Sequence, residues 1–173
     1  MPINFVVTGI YGNSGQYVDS IAVACSELRA DGTLGPESAS SARYGGDGGG
    51  FFDIECPPGQ AAAGIYGGAG GYIDRIGLYC MGPPFNNVDG AQRTTSDNGG
   101  SSPGQPNNGA EGHAGGNGGR GFDMRCDRPF NNVNVLQTGP VLTGLGVWFG
   151  EYLDGMAIQC GIPIPPSHGD GGR

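Results

Sequence analysis

Three segments of the chain share the pattern Gly-x-Tyr-aliphatic-Asp, and a cysteine follows each Asp after six residues. The segments span residues 15–19, 70–74 and 150–154. A carboxylate in a tight turn can accept hydrogen bonds from two neighbouring hydroxyl groups, and such charge-assisted bonds are stronger than bonds between neutral groups. These residue types at this spacing therefore predict recognition of a ligand that carries several hydroxyl groups.

A loop rich in glycine follows each of these acidic turns in chain order. The loops lie at residues 45–50, 115–119 and 169–172. Because glycine has no Cβ, a loop built from it lets the backbone approach a ligand or another segment closely. We expect each of these loops to form a tight turn.

The recurrence of turn, glycine loop and strand predicts a threefold internal repeat within one domain that spans residues 1–173. We place the repeats at about residues 1–44, 45–114 and 115–173, and we expect a mobile polar loop at about residues 82–111. The 38 Gly and 13 Pro cluster between aromatic and aliphatic runs, as turns between short strands require. An all-β fold is therefore favoured over helices or disorder.

The first repeat lacks the strand that follows the glycine loop in the other two, because the chain begins inside it. The sequence therefore predicts an open edge on the first sheet, with the C-terminal segment closing it. A partner chain can also cover an open edge, so a homodimer is a second expectation.

Composition and charge argue against several classes of function. The net charge is −8 and all eight basic residues are arginine, which argues against a nucleic-acid partner and an anionic membrane. No secretory signal opens the chain, and no apolar run is long enough to span a bilayer. His113 and His168 lack the spacing of a metal site or a catalytic triad, and no phosphate-binding or nucleophile motif is present. We therefore expect no cofactor, no metal and no enzymatic activity.

The five cysteines allow two interpretations. Aligning the repeats pairs Cys56 with Cys80 and Cys126 with Cys160, which leaves Cys25 alone. Two such disulfides would indicate an oxidising and hence extracellular compartment, although the sequence leaves the compartment otherwise unknown. The alternative is that all five cysteines are small buried residues in strands.

Three acidic turns in register with three glycine loops resemble the jacalin-related β-prism lectins, and above all their griffithsin-like members. The resemblance covers nearly the whole chain except residues 29–41 and 82–111. It implies the β-prism I fold, with three antiparallel Greek-key sheets in pseudo-threefold symmetry. It also implies a carbohydrate-binding function, with up to three sites for mannose- or glucose-type sugar ends. The cysteines and the Cys-Pro-Pro segment at 56–58 are similar instead to vitelline-membrane outer-layer proteins, which share the prism but are not all lectins.

Carried onto this chain, the resemblance implies that each sugar lies between an acidic turn and the glycine loop that follows it. Asp19 would face residues 45–48, Asp74 residues 115–118, and Asp154 residues 169–172. The turn backbone would donate N–H groups to the sugar, and the turn tyrosines or the nearby Tyr44 could cover its C–H face. The implied sugar-binding residues are Gly15, Tyr17, Val18, Asp19, Gly45, Gly46, Gly70, Tyr72, Ile73, Asp74, Gly115, Gly116, Gly150, Tyr152, Leu153, Asp154 and Gly171.

Two alternatives stay open. Each Asp can instead be a turn residue that bonds its own backbone, and the chain is then a structural or adhesion module of the same fold. Trp148 replaces the small residues that precede the other two turns, and it is either an aromatic wall of a site or a plug between sheets. The Asp154 site is the least regular, because its glycine loop is short of one glycine and ends the sequence.

Overall fold

The computed structural model describes residues 4–85, 90–94, 113–116, 118–126, 135–137 and 140–161. Most of the expected mobile loop at 82–111, and the last glycine loop with Gly171, lie outside the described residues. The described part of the chain forms thirteen β-strands and no α-helix, which confirms the all-β prediction. It accordingly contains no helix long and apolar enough to cross a membrane.

The strands are divided among three sheets, which we call A, B and C. Sheet A contains β1 Phe5–Ser14, β2 Val18–Leu28, β3 Leu34–Ser40, β4 Tyr44–Gly45 and β5 Gly50–Glu55. Sheet B contains β6 Ala61–Ala69, β7 Ile73–Met81, β8 Gln92–Arg93, β9 His113–Gly115 and β10 Arg120–Arg125. Sheet C contains β11 Val135–Gln137, β12 Val141–Phe149 and β13 Leu153–Gly161.

Strand order shows that sheets A and B have the same connectivity. Sheet A runs β3-β2-β1-β5 with β4 also on β2, and sheet B runs β10-β6-β7-β8 with β9 also on β7. In both, the last strand returns to lie beside the first, which is the Greek-key arrangement. Sheet C runs β11-β13-β12, and β11 pairs parallel with β13, whereas the expectation was of antiparallel sheets throughout.

A long hairpin with two β-bulges forms the centre of each sheet. The hairpins β1–β2, β6–β7 and β12–β13 each have one register shift near the start of the first strand and another beside the turn. The first shift follows Val7, Ala62 and Leu142 respectively. Since a bulge bends a strand and increases its twist, the three hairpins share one curvature. This correspondence confirms the predicted β-prism with pseudo-threefold symmetry.

The hydrophobic core lies between the three sheets, where β1, β6 and β12 contact one another. Each strand directs alternate residues inward, as the period of a strand requires. Burial of these apolar side chains is the main favourable term in folding. Fully buried members from the three sheets include Ile10, Ile54, Ile65, Leu78, Leu142 and Ile158.

Two disulfides connect neighbouring sheets. Cys56 follows β5 of sheet A and bonds Cys80 of β7 in sheet B, and Cys126 follows β10 of sheet B and bonds Cys160 of β13 in sheet C. They close loops of 24 and 34 residues, for which loss of unfolded-chain entropy gives about 3.5 kcal/mol each. Cys25 of β2 is buried and joins neither bond. The predicted pairing is confirmed.

The expectation of an open edge on the first sheet is wrong. β1 is paired on one side with β2 and on the other with β5, from Gly9 opposite Glu55 to Ser14 opposite Gly50. The strand after each glycine loop thus returns to the sheet before it, and β10 pairs with β6 in the same way. β5 therefore occupies the edge of sheet A that the C-terminal segment was expected to close.

Three tyrosine rings meet where the three hairpin turns converge. Tyr17, Tyr72 and Tyr152 each contact the other two, with ring centroids 4.9 to 5.1 Å apart and ring planes inclined by about 60°. Tilted and edge-to-face pairs are the geometries that aromatic quadrupoles favour. This tyrosine cluster marks the pseudo-threefold axis and holds the three turns together at one end of the prism.

We predict that Tyr72→Ala lowers the free energy of unfolding by about 1–3 kcal/mol, because it removes two ring pairs that contribute about 0.5–1.5 kcal/mol each. Tyr72→Phe keeps both pairs and should stay close to the parent protein. Urea unfolding of the two variants measures the difference. Equal stability of the two variants would show that the ring contacts contribute nothing.

Candidate functional site

The three acidic turns have the same backbone geometry. The N–H groups of Gly15, Gly70 and Gly150 each donate a hydrogen bond to the carbonyl oxygen two residues on, at 2.9, 2.9 and 3.0 Å. The acceptors are the three tyrosines of the cluster. The turn therefore fixes the tyrosine at the axis and, two residues later, the aspartate at the start of the returning strand.

The first glycine loop packs directly on the Asp19 turn. Gly46 N–H donates to the Asp19 carbonyl oxygen at 2.9 Å. A Cβ at Gly48 would lie 2.7 Å from Oδ1 of Asp19, and one at Gly49 would lie 2.6 Å from Oδ2. Gly49 also has φ +73°, a conformation that favours glycine. The loop thus presents bare backbone to both carboxylate oxygens.

The second glycine loop packs on the Asp74 turn in the same way. Gly116 N–H donates to the Asp74 carbonyl oxygen at 2.8 Å. A Cβ at Gly118 would lie 2.5 Å from Oδ1, and one at Gly119 would collide with Oδ2. Gly119 has φ +75°, close to the value at Gly49. Two separate segments of the chain therefore form one and the same arrangement.

Each glycine loop also touches a second turn. A Cβ at Gly46 would collide with the carbonyl oxygen of Glu151, and one at Gly116 would lie 2.5 Å from that of Gln16. The first loop therefore lies between the turns of sheets A and C, and the second between the turns of sheets B and A. The sequence did not indicate these second contacts, because they join segments that are distant in the chain.

Burial separates the three aspartates. Asp19 and Asp74 are 5% and 6% exposed, whereas Asp154 is exposed. Burial raises the pKa of Asp19; hydrogen bonds from the backbone N–H groups of Asp19 and Gly15 oppose this rise, and the nearby Glu151 carboxylate adds to it. The glycine loop that would face Asp154 lies outside the described residues. The burial of a carboxylate by a glycine loop is therefore described for Asp19 and Asp74.

The structure brings together most of the predicted residues of the first two sites. Gly15, Gly45 and Gly46 lie around Asp19, and Gly70, Gly115 and Gly116 lie around Asp74. Val18, Ile73 and Leu153 are at most 4% exposed, so they can offer a ligand only their backbone. The predicted glycine Gly171 lies beyond the described part of the chain. Its partners Gly150, Tyr152 and Asp154 form the third turn without a described glycine loop.

The rings of the turn tyrosines pack against one another at the axis, and Tyr72 is nevertheless 38% exposed. Further exposed aromatic side chains lie beside the first glycine loop, where the Tyr44 and Phe149 rings are 6.0 Å apart. Phe149 was not predicted, although its place directly before the third turn is visible in the sequence. Trp148 is 58% exposed and therefore does not plug the space between sheets.

No group of three or more His, Cys, Asp or Glu side chains that could hold a metal ion occurs within the described ranges. The chemistry of the turns is hydrogen bonding by carboxylate oxygens and backbone N–H groups. Such a site can bind a polar ligand, and nothing in its geometry requires a cofactor.

Comparison with known proteins assigns the chain to no family. No family model matches the chain, and no curated protein matches it. Among solved structures, one similar chain is described as wild-type Malaysian banana lectin, with TM-score 0.49 and 15% identity over 88% of this chain and 81% of that one. Another is a prostate-specific WGA16 glycoprotein lectin, with TM-score 0.49 and 18% identity over 88% and 80%.

We predict that Gly118→Ala lowers the free energy of unfolding by about 1–3 kcal/mol, as overpacking does, because its methyl group would overlap Oδ1 of Asp74. Gly71→Ala is the matched control, since a Cβ there has no atom within 4 Å. It should change stability by less than about 0.5 kcal/mol. Urea unfolding of both measures the effect, and a neutral Gly118→Ala would contradict the close approach.

The carboxyl pKa values predict that stability falls as pH rises. Burial raises the pKa of Asp53, and burial together with the charges of Asp53 and Glu37 raises the pKa of Glu55, as burial does for Asp19. The folded chain therefore keeps protons that the unfolded chain releases. The contribution of these three groups to the free energy of unfolding is greatest below the ordinary pKa values, 3.8 for Asp and 4.5 for Glu, and declines as pH passes through the raised ones.

Urea unfolding in steps from about pH 4.5 to about pH 7 tests this sign. Asp53→Asn removes one of the titrating groups and should flatten the decline. The pKa of Asp31 is lowered by its hydrogen bonds from Thr33. Its contribution to the free energy of unfolding therefore has the opposite pH dependence, because it is present at neutral pH and is lost only at lower pH. An identical slope in Asp53→Asn and the parent would contradict the assignment.

Proposed function

We propose that this protein is a lectin that binds mannose- or glucose-type sugar ends at its acidic turns. The observation that carries the proposal is the arrangement of carboxylate and bare glycine backbone, which occurs around both Asp19 and Asp74.

The chemistry of these turns suits a pyranose. A carboxylate offers about four lone-pair positions, and at Asp19 the N–H groups of Asp19 and Gly15 occupy part of them. The remaining positions accept hydrogen bonds from neighbouring sugar hydroxyls at the solvent-facing edge of the carboxylate. The glycine loop leaves room for the ring to approach, and backbone N–H groups of the turn donate to sugar oxygens.

Several sites on one chain would strengthen weak binding. The tyrosine cluster gathers the three turns at one end of the prism, so sugars bound there face the same direction. A branched glycan with several ends can then occupy more than one site, and its second binding step becomes intramolecular. We propose Asp19 and Asp74 as the two regular sites and Asp154 as the third.

We also propose an extracellular location for the protein. Two disulfides are compatible with an extracellular location, because such bonds persist in oxidising environments. Glycans on cell surfaces and secreted proteins are accessible there. The expected homodimer stays a prediction.

A second candidate function is a structural or adhesion module without sugar binding. The burial of Asp19 and Asp74 favours it, because a buried carboxylate bonded to its own turn resembles a structural turn residue. On this interpretation the glycine loops serve to dock the turns, and the aspartates contribute stability alone.

Titration with methyl α-mannoside, followed by amide NMR, separates the two functions. We expect saturable shifts at Gly15, Gly48, Gly49, Gly70, Gly118 and Gly119, with dissociation constants of about 1 mM per site, as for roughly −4 kcal/mol of binding. Gly32, in the exposed β2–β3 turn, serves as an internal reference that should not move.

Substitutions then assign each site. Asp74→Asn should abolish the shifts at Gly70, Gly118 and Gly119 and leave those at Gly15, Gly48 and Gly49, while Asp31→Asn, also in the β2–β3 turn, should change neither set. Thermal melting checks the fold of each variant. No shift in the parent protein with mannoside or glucoside, together with a destabilised Asp74→Asn, would reject the lectin and support the structural module.

A further inference from the structure

A cavity of about 210 Å³ lies on the outer face of sheet B, beside the start of the strand that follows the Asp74 turn. In this sheet Ile65, Leu78 and Met124 point into the prism core, so their sequence neighbours point outward. The cavity is lined by Tyr66, Arg75, Arg93, Gly121, Phe122 and Asp123.

A network of aromatic and charged groups holds the arginine and the carboxylate of this cavity. The Arg93 guanidinium lies 4.3 Å from the centre of the Tyr66 ring, and its Nε donates to the Tyr79 hydroxyl at 3.0 Å. The Tyr79 hydroxyl donates to Oδ2 of Asp123 at 2.6 Å, and Arg125 donates to Oδ1 at 3.2 Å. Both oxygens of Asp123 are therefore engaged, and Arg125 balances its charge.

Arg75 adds a second guanidinium to the cavity wall. Its Nη1 donates to the carbonyl oxygen of Gly118 at 2.8 Å. Among the described residues no carboxylate lies within ion-pair distance of Arg75. Within the described residues, Arg75 is therefore the guanidinium of this cavity that has no carboxylate beside it, while Arg125 pairs with Asp123.

Sheet A shows that the fold does not require these arginines. Tyr11 and Tyr66 occupy equivalent positions, since Tyr11 pairs with Asp53 and Tyr66 with Asp123. Their hydroxyls donate to the carbonyl oxygens of Ser41 and Thr94, at 3.4 and 3.3 Å. The pairing registers of the two sheets then place Ser20, Ser40, Ala24 and Glu55 of sheet A where sheet B has Arg75, Arg93, Tyr79 and Arg125.

We propose that this cavity binds the sulfate or carboxylate group of a small ligand, such as a sulfated or uronic-acid sugar. Guanidinium groups present a planar fork of N–H donors that matches such oxyanions. Pockets for drug-sized ligands measure about 300–1,000 Å³, so this smaller cavity has room for an ionic group or a single ring.

The proposal is independent of sugar binding at the acidic turns, although Arg75 touches the second glycine loop through Gly118. Calorimetry at low ionic strength tests it with three probes: sodium sulfate, methyl β-glucuronide and the neutral methyl β-glucoside. We expect saturable binding of sulfate or glucuronide and none of the glucoside in this cavity, with amide shifts at Gly67, Gly121 and Phe122. Tighter binding of glucuronide assigns the site to acidic sugars, and tighter binding of sulfate assigns it to sulfate groups.

Variants place the binding in the cavity. Arg75→Gln should weaken anion binding at least about tenfold, which corresponds to about 1.4 kcal/mol. Arg75→Lys keeps the charge but loses the planar fork of donors, so its affinity for the anion should lie between those of Arg75→Gln and the parent. The second variant keeps the test valid even if Arg75→Gln does not fold. Arg29→Gln, at an exposed arginine outside sheet B, is the matched control and should bind as the parent does.

Asp74→Asn separates this proposal from the proposed function, because it should abolish the mannoside shifts at Gly70, Gly118 and Gly119 while anion binding persists. Equal weakening by Arg75→Gln and Arg29→Gln would show a general charge effect and overturn the site. The absence of saturable anion binding would overturn the site. The site would also be overturned if the amide shifts come from self-association, in which the cavity of one molecule contacts the acidic outer face of sheet A of another.

Discussion

The contact between glycine backbone and the two buried carboxylates determines how the sheets meet at one end of the molecule. At Asp19 and Asp74 the loop lies so close that a single methyl group would overlap a carboxylate oxygen. The same loops reach across to Gln16 and Glu151 of neighbouring turns. The turns, their aspartates and the tyrosine cluster therefore form one connected unit, and a Cβ at Gly48, Gly49, Gly118 or Gly119 would displace a carboxylate.

Chain connectivity reinforces this unit from the other end. Because the strand after each of the two described glycine loops returns to the preceding sheet, both loops are anchored on both sides within one sheet. Near the other end of the same strands, the disulfides of Cys56 and Cys126 join each of these sheets to the next. The two covalent links and the turn contacts therefore act at different heights of the prism, which restrains the sheets against both separation and rotation.

Local chemistry made much of this fold predictable. Repeated turns and glycine loops gave the three hairpins and the all-β class, and the repeat alignment gave both disulfides. The alignment could not show which sheet receives the strand at Gly50–Glu55, because a strand that follows a loop can pair forward or backward with equal local preference. Only the pairing of Tyr11 with Asp53 decides it.

The candidate sites were likewise only partly predictable from the sequence. Spacing identified Asp19 and Asp74 as equivalent, but burial to 5% and 6% depends on loops that are distant in sequence. The ring contacts of the tyrosines likewise need three turns brought together in space. The arginine cavity of sheet B had no linear signal, because Arg75, Arg93 and Asp123 lie on three different strands.

Symmetry separates the parts of the molecule that hold the fold from those that are free to vary. The turns, bulges and inward-facing residues correspond between sheets, since each sheet must meet the other two in the same way. The outward faces carry no such constraint, and Arg125 of sheet B stands where sheet A has Glu55. Arg125 pairs with Asp123, whereas Glu55 lies close to Asp53, so the outer faces of the two sheets differ in charge although their backbones correspond. The two proposed kinds of site accordingly differ in origin: one repeats with the symmetry of the fold, and the other depends on residues of sheet B alone.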